Sequence, residues 1–363
     1  MNTYNFLCKF DNKLKQLAIK NPHTTQIFCE VPKIELYKKD EDKKKQGYLY
    51  TRSFSGDLIK ESNIKFKDSI SNYFNNKIFF TLKNSSYKLN YQPRRQKAST
   101  TIHWGQLKLF LSTLQFLLYY APKTKKVHIV YPGSACGINI YILTKMFPQC
   151  VWYLIDPSNF YPKLYNNSYI KHITNDFFTE KTAKYYKKLL KNKYVLFISD
   201  IRVDTDEKII RLDNENQKKW VEILQPEYAQ LKFRIPRDDH NYEYFDGKIF
   251  IQFYPPATST ETRLVVKKGA GMKVYNLEEY EDKLYYHNQV TRVYLYPHKH
   301  KLLKGMDYCY DCSGFYKLIK LYKKKYHNIE NRSINSIMEY ILKKLHGSDK
   351  LYNKTKDILD NIN

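Results

Sequence analysis

The chain has 363 residues, enough for one large α/β domain with additions or for two domains. Its 62 Lys and Arg against 36 Asp and Glu give a net charge of +26, which favours a polyanion as partner. No apolar run reaches the roughly 18 residues that span a bilayer, so a soluble protein with no membrane partner is expected. Aromatic content is 16%, with 35 Tyr, and rings interleaved with basic side chains suit RNA, whose unstacked bases can stack on them. An AT-rich genome, which enriches Lys, Asn, Ile and Tyr, accounts for most of the Tyr total and less of the charge. Six cysteines (Cys8, Cys29, Cys136, Cys150, Cys309, Cys312) without a signal peptide point to a reducing compartment.

Residues 1–88 read as an N-terminal extension of short β-like runs, Gln26 to Tyr37 and Tyr48 to Phe54, around a charge run at Lys38 to Lys45 that suits a solvated loop. Asp57 to Phe80 reads as a helix with a strand-like end. Lys88 to Ser99, with Tyr91 and the cluster Pro93-Arg-Arg-Gln-Lys97, reads as an extended arm. From Gly105, apolar residues at Leu107, Phe110, Leu111, Leu114, Leu117 and Leu118 recur at helical spacing and stop before Pro122, with Lys108 at the edge of the stripe.

The chain then offers its most informative stretch. A β-rich run from Lys126 ends in a turn bearing Gly133 and Gly137, a helical pattern follows from Ile138 to Phe147, and a second β-run from Val151 ends on Asp156. A strand, glycine turn, helix, strand and acid suit an adenosine-containing cofactor, because the carboxylate can accept from both ribose hydroxyls. Gly133 and Asp156 are 23 residues apart, close to the roughly 20 expected. The turn lacks the full G-x-G-x-x-G that cradles a pyrophosphate, so S-adenosyl-L-methionine fits better than NAD.

Further on come a β-run at Tyr169 to Thr174, a basic helix from Glu180 to Leu190 and a strand, Tyr194 to Ser199, that ends on Asp200. A polar helix, Asp213 to Leu224, leads to a strand at Tyr228 to Phe233 containing Lys232; Lys248 to Tyr254 and Thr262 to Lys267 read as a hairpin. This order predicts an α/β, Rossmann-like fold: a doubly wound, mostly parallel sheet with an antiparallel last strand, whose ligands collect at the carboxyl edge. Asp156, Asp200 and Lys232 fall at that edge, and an antiparallel last strand brings Glu261 there too. Lys301 to Asn363 is basic and helical, with an amphipathic segment at Ile334 to Leu345, and reads as a cap on the domain or a docking element. The lone Cys309-Tyr-Asp-Cys312, with His298 and His300 near it, has no second pair to make a zinc site, and no metal is expected. Residues 89–300 are taken as the catalytic domain and 301–363 as a C-terminal helical extension.

Six stretches come in the order found in one family: Gly105-Gln-Leu-Lys108, Tyr131-Pro-Gly-Ser-Ala-Cys-Gly137, Trp152-Tyr-Leu-Ile-Asp156, Ile198-Ser-Asp-Ile-Arg202, Leu231-Lys-Phe-Arg234 and Ser259-Thr-Glu-Thr-Arg263. Over roughly residues 88 to 320 the chain resembles the poxvirus cap-specific mRNA nucleoside-2′-O-methyltransferases, which double as the processivity-conferring small subunit of poly(A) polymerase. The resemblance implies an S-adenosyl-L-methionine-dependent methyltransferase with a tetrad of Lys108, Asp200, Lys232 and Glu261. It implies a cofactor site lined by Gln106, Tyr131, Gly133, Gly137, Asp156 and Phe177. Tyr91, Arg202, Arg234, Asp239, Ser259, Thr260 and Glu281 would face capped mRNA. It further implies a poly(A) polymerase catalytic subunit as partner and, as location, the virion and host cytoplasm. Two positions depart from the family: Cys136 replaces a proline in the glycine turn, and Arg237 replaces a ring that stacks on the cap base. Phe233, Tyr242 or Tyr244 is expected to take over that stacking, or cap discrimination to weaken. Lys232 is expected to accept the ribose proton, its affinity lowered by Lys108. Arg94, Arg95 and Lys97, with the helix around Lys184 to Lys191, are expected to contact RNA phosphates.

Overall fold

The computed structural model describes residues 49–52, 58–61, 81–82, 88, 90–92, 102–202, 204, 206–255, 258–288, 310–326 and 332–346. Among the described residues the first elements are β1 (Leu49–Arg52) and β2 (Leu58–Glu61), paired antiparallel. Leu58–Glu61 is thus a strand where a helix from Asp57 to Phe80 is expected; the rest of that stretch lies outside the described residues.

The main sheet begins after α1 (Ile102–Tyr120). Its strands, in chain order, are β3 (Val127–Pro132), β4 (Cys150–Ile155), β5 (Ile170–Thr174), β6 (Tyr194–Ser199), β7 (Tyr228–Phe233), β9 (Lys248–Phe250) and β10 (Thr262–Lys267), with β8 (Asn241–Phe245) lying outside the sheet. In space they run β5-β4-β3-β6-β7-β10-β9. The pairs from β5 to β7 are parallel, and β10 is antiparallel to both β7 and β9. The expected doubly wound sheet with an antiparallel strand is present. The order reverses between β3 and β6, so the crevice for ligands opens where Gly133 and Asp200 follow those strands. Thr81 bridges Phe250, and Leu82 N–H donates to the Ile249 carbonyl at 2.9 Å, so these residues meet the edge strand.

Crossover helices cover both faces. α2 (Ile138–Met146) follows β3, α3 (Glu180–Leu189) follows β5 and α4 (Glu207–Leu224) follows β6. β3 is buried along its whole length, as a central parallel strand requires. Its side chains alternate: Val127, Ile129 and Tyr131 join the core under α1 and α2, while Val130 joins the core under α3 and α4. The expected polar helix begins at Glu207 instead of Asp213, because Asp206 caps it by accepting from the N–H groups of Lys208 and Ile209.

Beyond β7 the chain adds elements that the sequence pattern does not announce, β8 among them. β11 (Met272–Asn276) pairs antiparallel with β8 as a separate ribbon, and α5 (Leu277–Tyr286) follows, capped by Asn276. The C-terminal helices α6 (Tyr310–Lys325) and α7 (Ile334–His346) pack on α1, and α7 also on α2. Phe315, Leu318, Ile319, Ile341 and Leu345 belong to the same core as α1, and Tyr322 donates to the Met146 carbonyl at 2.6 Å. The segment around His298, His300 and Cys309 lies outside the described residues. Among the described residues no helix is long and apolar enough to cross a membrane.

Because Ile341 is fully buried in that shared core, Ile341→Ala should lower unfolding stability by about 2–5 kcal/mol, read from denaturant midpoints. A change within error would mean that α7 is not part of the cooperative unit.

Candidate active site

Four segments converge at the carboxyl edge. Lys108 comes from α1, Asp200 from the residue after β6, Lys232 from the end of β7 and Glu261 from the residue before β10. Lys232 Nζ lies 3.3 Å from Asp200 Oδ1 and 3.7 Å from Glu261 Oε2, and Lys108 Nζ lies 3.9 Å from Glu261 Oε1. The structure thus brings all four expected residues together. Antiparallel β10 is what delivers Glu261 to the edge that the parallel strands end on.

A fifth member comes from the same strand start. Arg263, only 3% exposed, places Nη2 2.6 Å from Asp200 Oδ1 and Nη1 3.3 Å from Glu261 Oε1. It pairs across the ladder with Lys232, and two cations directly opposite are unfavourable unless acids lie between them. Asp200 and Glu261 fill that role. Gln252 adds a hydrogen bond to Glu261 Oε1 at 2.7 Å. Neither Arg263 nor Gln252 was assigned from sequence, although Arg263 closes the quoted Ser259-Thr-Glu-Thr-Arg motif.

The charges set one another's proton affinity. Burial pushes the Glu261 carboxyl up, but the fields of Lys232, Lys108, Arg263 and Arg202 together outweigh it and hold the group well below the ordinary carboxylate range. Burial pulls Lys108 below its usual value; repulsion from Lys232 and Arg263 adds to this, while Glu261 and Asp200 oppose it. Tyr131, fully enclosed beside the cluster, is pushed up by burial and by Asp200, so its phenol stays protonated.

The glycine turn forms the adjoining wall. Gly133 has φ +74°, and a Cβ there would come within 2.7 Å of the Asp200 carbonyl carbon and 2.8 Å of Ile201 N. The glycine is thus demanded by the backbone of the tetrad's own loop, a tighter constraint than ligand approach. Gly137, also at φ +74°, faces Leu164 at 2.7 Å and starts α2 with no side-chain cap. Asp156 ties the turn down: Oδ2 accepts from Ala135 N–H at 3.1 Å and Oδ1 from Ser158 N–H at 2.8 Å. A carboxylate has about four acceptor positions, so two remain. Gln106 Oε1 on α1 and Asn139 Nδ2 on α2 are buried without hydrogen-bond partners. Phe177, by contrast, is 64% exposed on the loop after β5.

A second group lies beyond Glu261. Tyr91 is fixed by its N–H to Asp282 Oδ1 at 2.9 Å and by its hydroxyl to the Thr258 carbonyl at 3.1 Å. Arg237 lies over its ring at 5.1 Å, donates to its hydroxyl and reaches Glu281 Oε1 at 3.0 Å. Thr260 Oγ1 donates to the same Glu281 oxygen at 3.3 Å, and Ser259 Oγ accepts from Glu261 N–H at 3.3 Å. Tyr91, Thr260 and Glu281 are therefore brought together with Arg237 among them. Asp239 is not: it pairs with Arg211 of α4. Arg234 pairs with Glu207 and Arg202 with Asp213. The expectation that Phe233, Tyr242 or Tyr244 replaces the missing ring is overturned. All three are buried and stack on one another, Phe233 on Tyr244 at 5.4 Å and Tyr244 on Tyr242 at 5.7 Å. Arg94, Arg95 and Lys97 lie outside the described residues.

A carboxyl depressed in the folded state stabilises the fold above the unfolded value of about 4.3 and loses that contribution as pH falls through the folded value. Glu261→Gln should therefore be less stable than wild type at neutral pH, and the gap should narrow as the pH drops below about 4. Parallel melting curves across that range check it; a gap that stays constant would remove Glu261 from the network.

Comparison with known proteins adds the following. The family model described as "Poly A polymerase regulatory subunit" matches residues 28–347. No curated protein sequence matches. Among solved structures, the bluetongue virus VP4 protein, described as a multifunctional RNA-capping production line, is similar with 15% identity and a TM-score of 0.38. That match covers 61% of this chain and 41% of VP4, so the chain spans less than half of that protein. With the family model running across most of its length, the chain belongs to the poly A polymerase regulatory subunit family.

Proposed function

We propose that the protein transfers a methyl group from S-adenosyl-L-methionine to the ribose 2′-hydroxyl of the first transcribed nucleotide of capped mRNA. The observation that carries this reading is the convergence of two lysines and two carboxylates at the carboxyl edge, beside a glycine turn tied down by Asp156. The residues present fit the cofactor. Asp156 retains acceptor capacity for two ribose hydroxyls, and exposed Phe177 offers a ring to a purine. The unpartnered Gln106 oxygen suits an ammonium and the unpartnered Asn139 amide nitrogen a carboxylate, the two charges of an amino-acid end.

When bound, the cofactor supplies an electrophilic methyl group on a sulfonium. The protein's part is to hold the ribose hydroxyl and remove its proton. Lys232 takes this role in its neutral form: its nitrogen accepts the proton, while Asp200 and Glu261 orient it and then stabilise the ammonium formed. Lys108 repels that ammonium and so helps Lys232 release the proton to solvent. Arg263 holds both carboxylates in place from behind.

Transfer of labelled methyl to capped RNA, with nuclease mapping of the acceptor, tests the reaction. Lys232→Ala should lose at least about 10²-fold in rate, within the range for a positioned base. Near-normal transfer by that variant would remove Lys232 from the chemistry. The family itself favours a second reading, in which the chain also serves as the regulatory partner of a poly(A) polymerase catalytic subunit. Pull-down with that subunit tests it independently of methyl transfer.

Cap recognition centres on Tyr91 and Glu281. A methylated guanine is a flat cation, and Arg237 already supplies a flat cation to the same ring and carboxylate. The guanidinium thus stands in for the base, and binding must exchange one for the other. Arg237→Ala should tighten the binding of a methylated cap analogue severalfold and Tyr91→Ala should abolish it, both read by fluorescence titration. Equal affinity in all three proteins would leave a 2′-O-methyltransferase that does not read caps.

A further inference from the structure

The amino-terminal edge of the sheet, opposite the tetrad, carries a cavity of about 480 Å³. Its lining includes Lys125, Lys187, Lys191, Lys193 and Lys268 against a single acid, Glu227. These lysines come from four places: the approach to β3, the last turn of α3, the loop into β6, and the exit of β10. β6 runs from this cavity to the tetrad, so about 20 Å of strand separates the two.

Part of this charge is explained by the fold. Lys187 donates to the Leu224 carbonyl at the end of α4, at 3.3 Å, and Lys268 lies 3.1 Å from Glu227. A cation on the last turn of α3 also complements that helix end. Lys125, Lys191 and Lys193 are different. All three are exposed, and among the described residues none has a carboxylate partner. The field extends inward: Lys193 and Lys126 add to the burial that pulls His128 below its usual value. Three like charges from two segments facing one concavity repel one another, and a bound anion would reverse that cost. A cavity of this size also lies in the range of ligand sites, so more than one phosphate fits.

A neighbouring ring narrows the class. Tyr186 lines the cavity as a buried wall, and Tyr185, 53% exposed, stands 5.2 Å from it edge to face, just outside the lining. Unpaired lysines beside an open ring form the combination that holds single-stranded nucleic acid, cations on phosphates and ring on base. We infer that this amino-edge cavity is a second, sequence-tolerant binding site for single-stranded RNA, separate from the active site. It takes the proposed RNA substrate as its starting point, yet it needs no methyl transfer to operate. The basic helix expected to track RNA from the active site thereby serves a different location, since Lys187 and Lys191 lie at the far edge.

The test uses the full chain and an uncapped, 5′-hydroxyl single-stranded RNA, with affinity measured across a salt series. Each phosphate contact on a single strand contributes about −0.7 to the slope of log K against log salt. The triple variant Lys125→Gln/Lys191→Gln/Lys193→Gln should bind at least tenfold more weakly at low salt, with a slope shallower by about 2. The same three positions changed to Arg should retain affinity and slope, which separates charge from fold. Methyl transfer to a short capped RNA, too short to span the sheet, should be unaffected by the Gln triple. An unchanged salt slope in the Gln triple overturns the inference, as does equal loss in the Arg triple. Loss of binding to a polyglutamate probe with RNA binding intact would also overturn it, in favour of a protein partner. If wild type transfers no methyl but the salt slope falls as stated, the catalytic reading fails and this site stands.

Discussion

The contact between Arg263 and the two acids of the carboxyl edge is what the rest of this site depends on. Without Asp200 and Glu261, the ladder would set Arg263 directly opposite Lys232, two cations on neighbouring strands. Without Arg263, the only cations paired with the two largely buried carboxylates would be the lysines at 3.3 to 3.9 Å. Removing one member of such a buried set generally costs more than the set contributes as a whole, because the others are left uncompensated. A cluster of this kind holds its geometry because no member has a better alternative. Gln252 and Ser259 restrict Glu261 further, one at the side chain and one at the backbone.

The glycine turn is bound into the same arrangement. At the switch point the chain leaving β3 passes so close to the chain leaving β6 that a methyl group at Gly133 would strike the Asp200 backbone. Asp156 pulls the turn from its other side through Ala135. The segment expected to receive a cofactor and the segment bearing a tetrad acid therefore share one wall. Displacing either by a fraction of an ångström moves the other, and this contact couples the two halves of the site mechanically.

Much of this was legible in the sequence because it depends on local pattern. Five parallel strands showed as short β-rich runs, and acids or lysines at their ends marked the carboxyl edge before any geometry was known. What was missed depends on partners distant in sequence. β8 and β11 are short and pair only with each other, so neither shows the long apolar run of a central strand, although Asn241-Tyr-Glu-Tyr-Phe does alternate. Arg263 sits inside an apolar-looking strand, and only the ladder register shows that it faces Lys232. The substitute rings near Arg237 were wrong for a related reason. Nearness in sequence put Phe233, Tyr242 and Tyr244 at the site, but strand alternation turns all three into the core.

Arg237 joins these strands of argument. Its guanidinium links Tyr91 to Glu281, and its own N–H is held by Glu207 at 2.8 Å, at the start of α4. Glu281 also accepts from Thr260, the residue before Glu261, so the ring platform and the tetrad are one residue apart along the same loop. Replacing Arg237 with a cationic base keeps a positive partner on Glu281 and leaves Thr260 bonded as before. Replacing it with a neutral base would leave Glu281, only 9% exposed at its side chain, facing that base without a counter-charge. On the proposed reading, discrimination for a cationic base would follow from the burial of this one carboxylate, and the arginine that fills the space holds the loop before Glu261 in place.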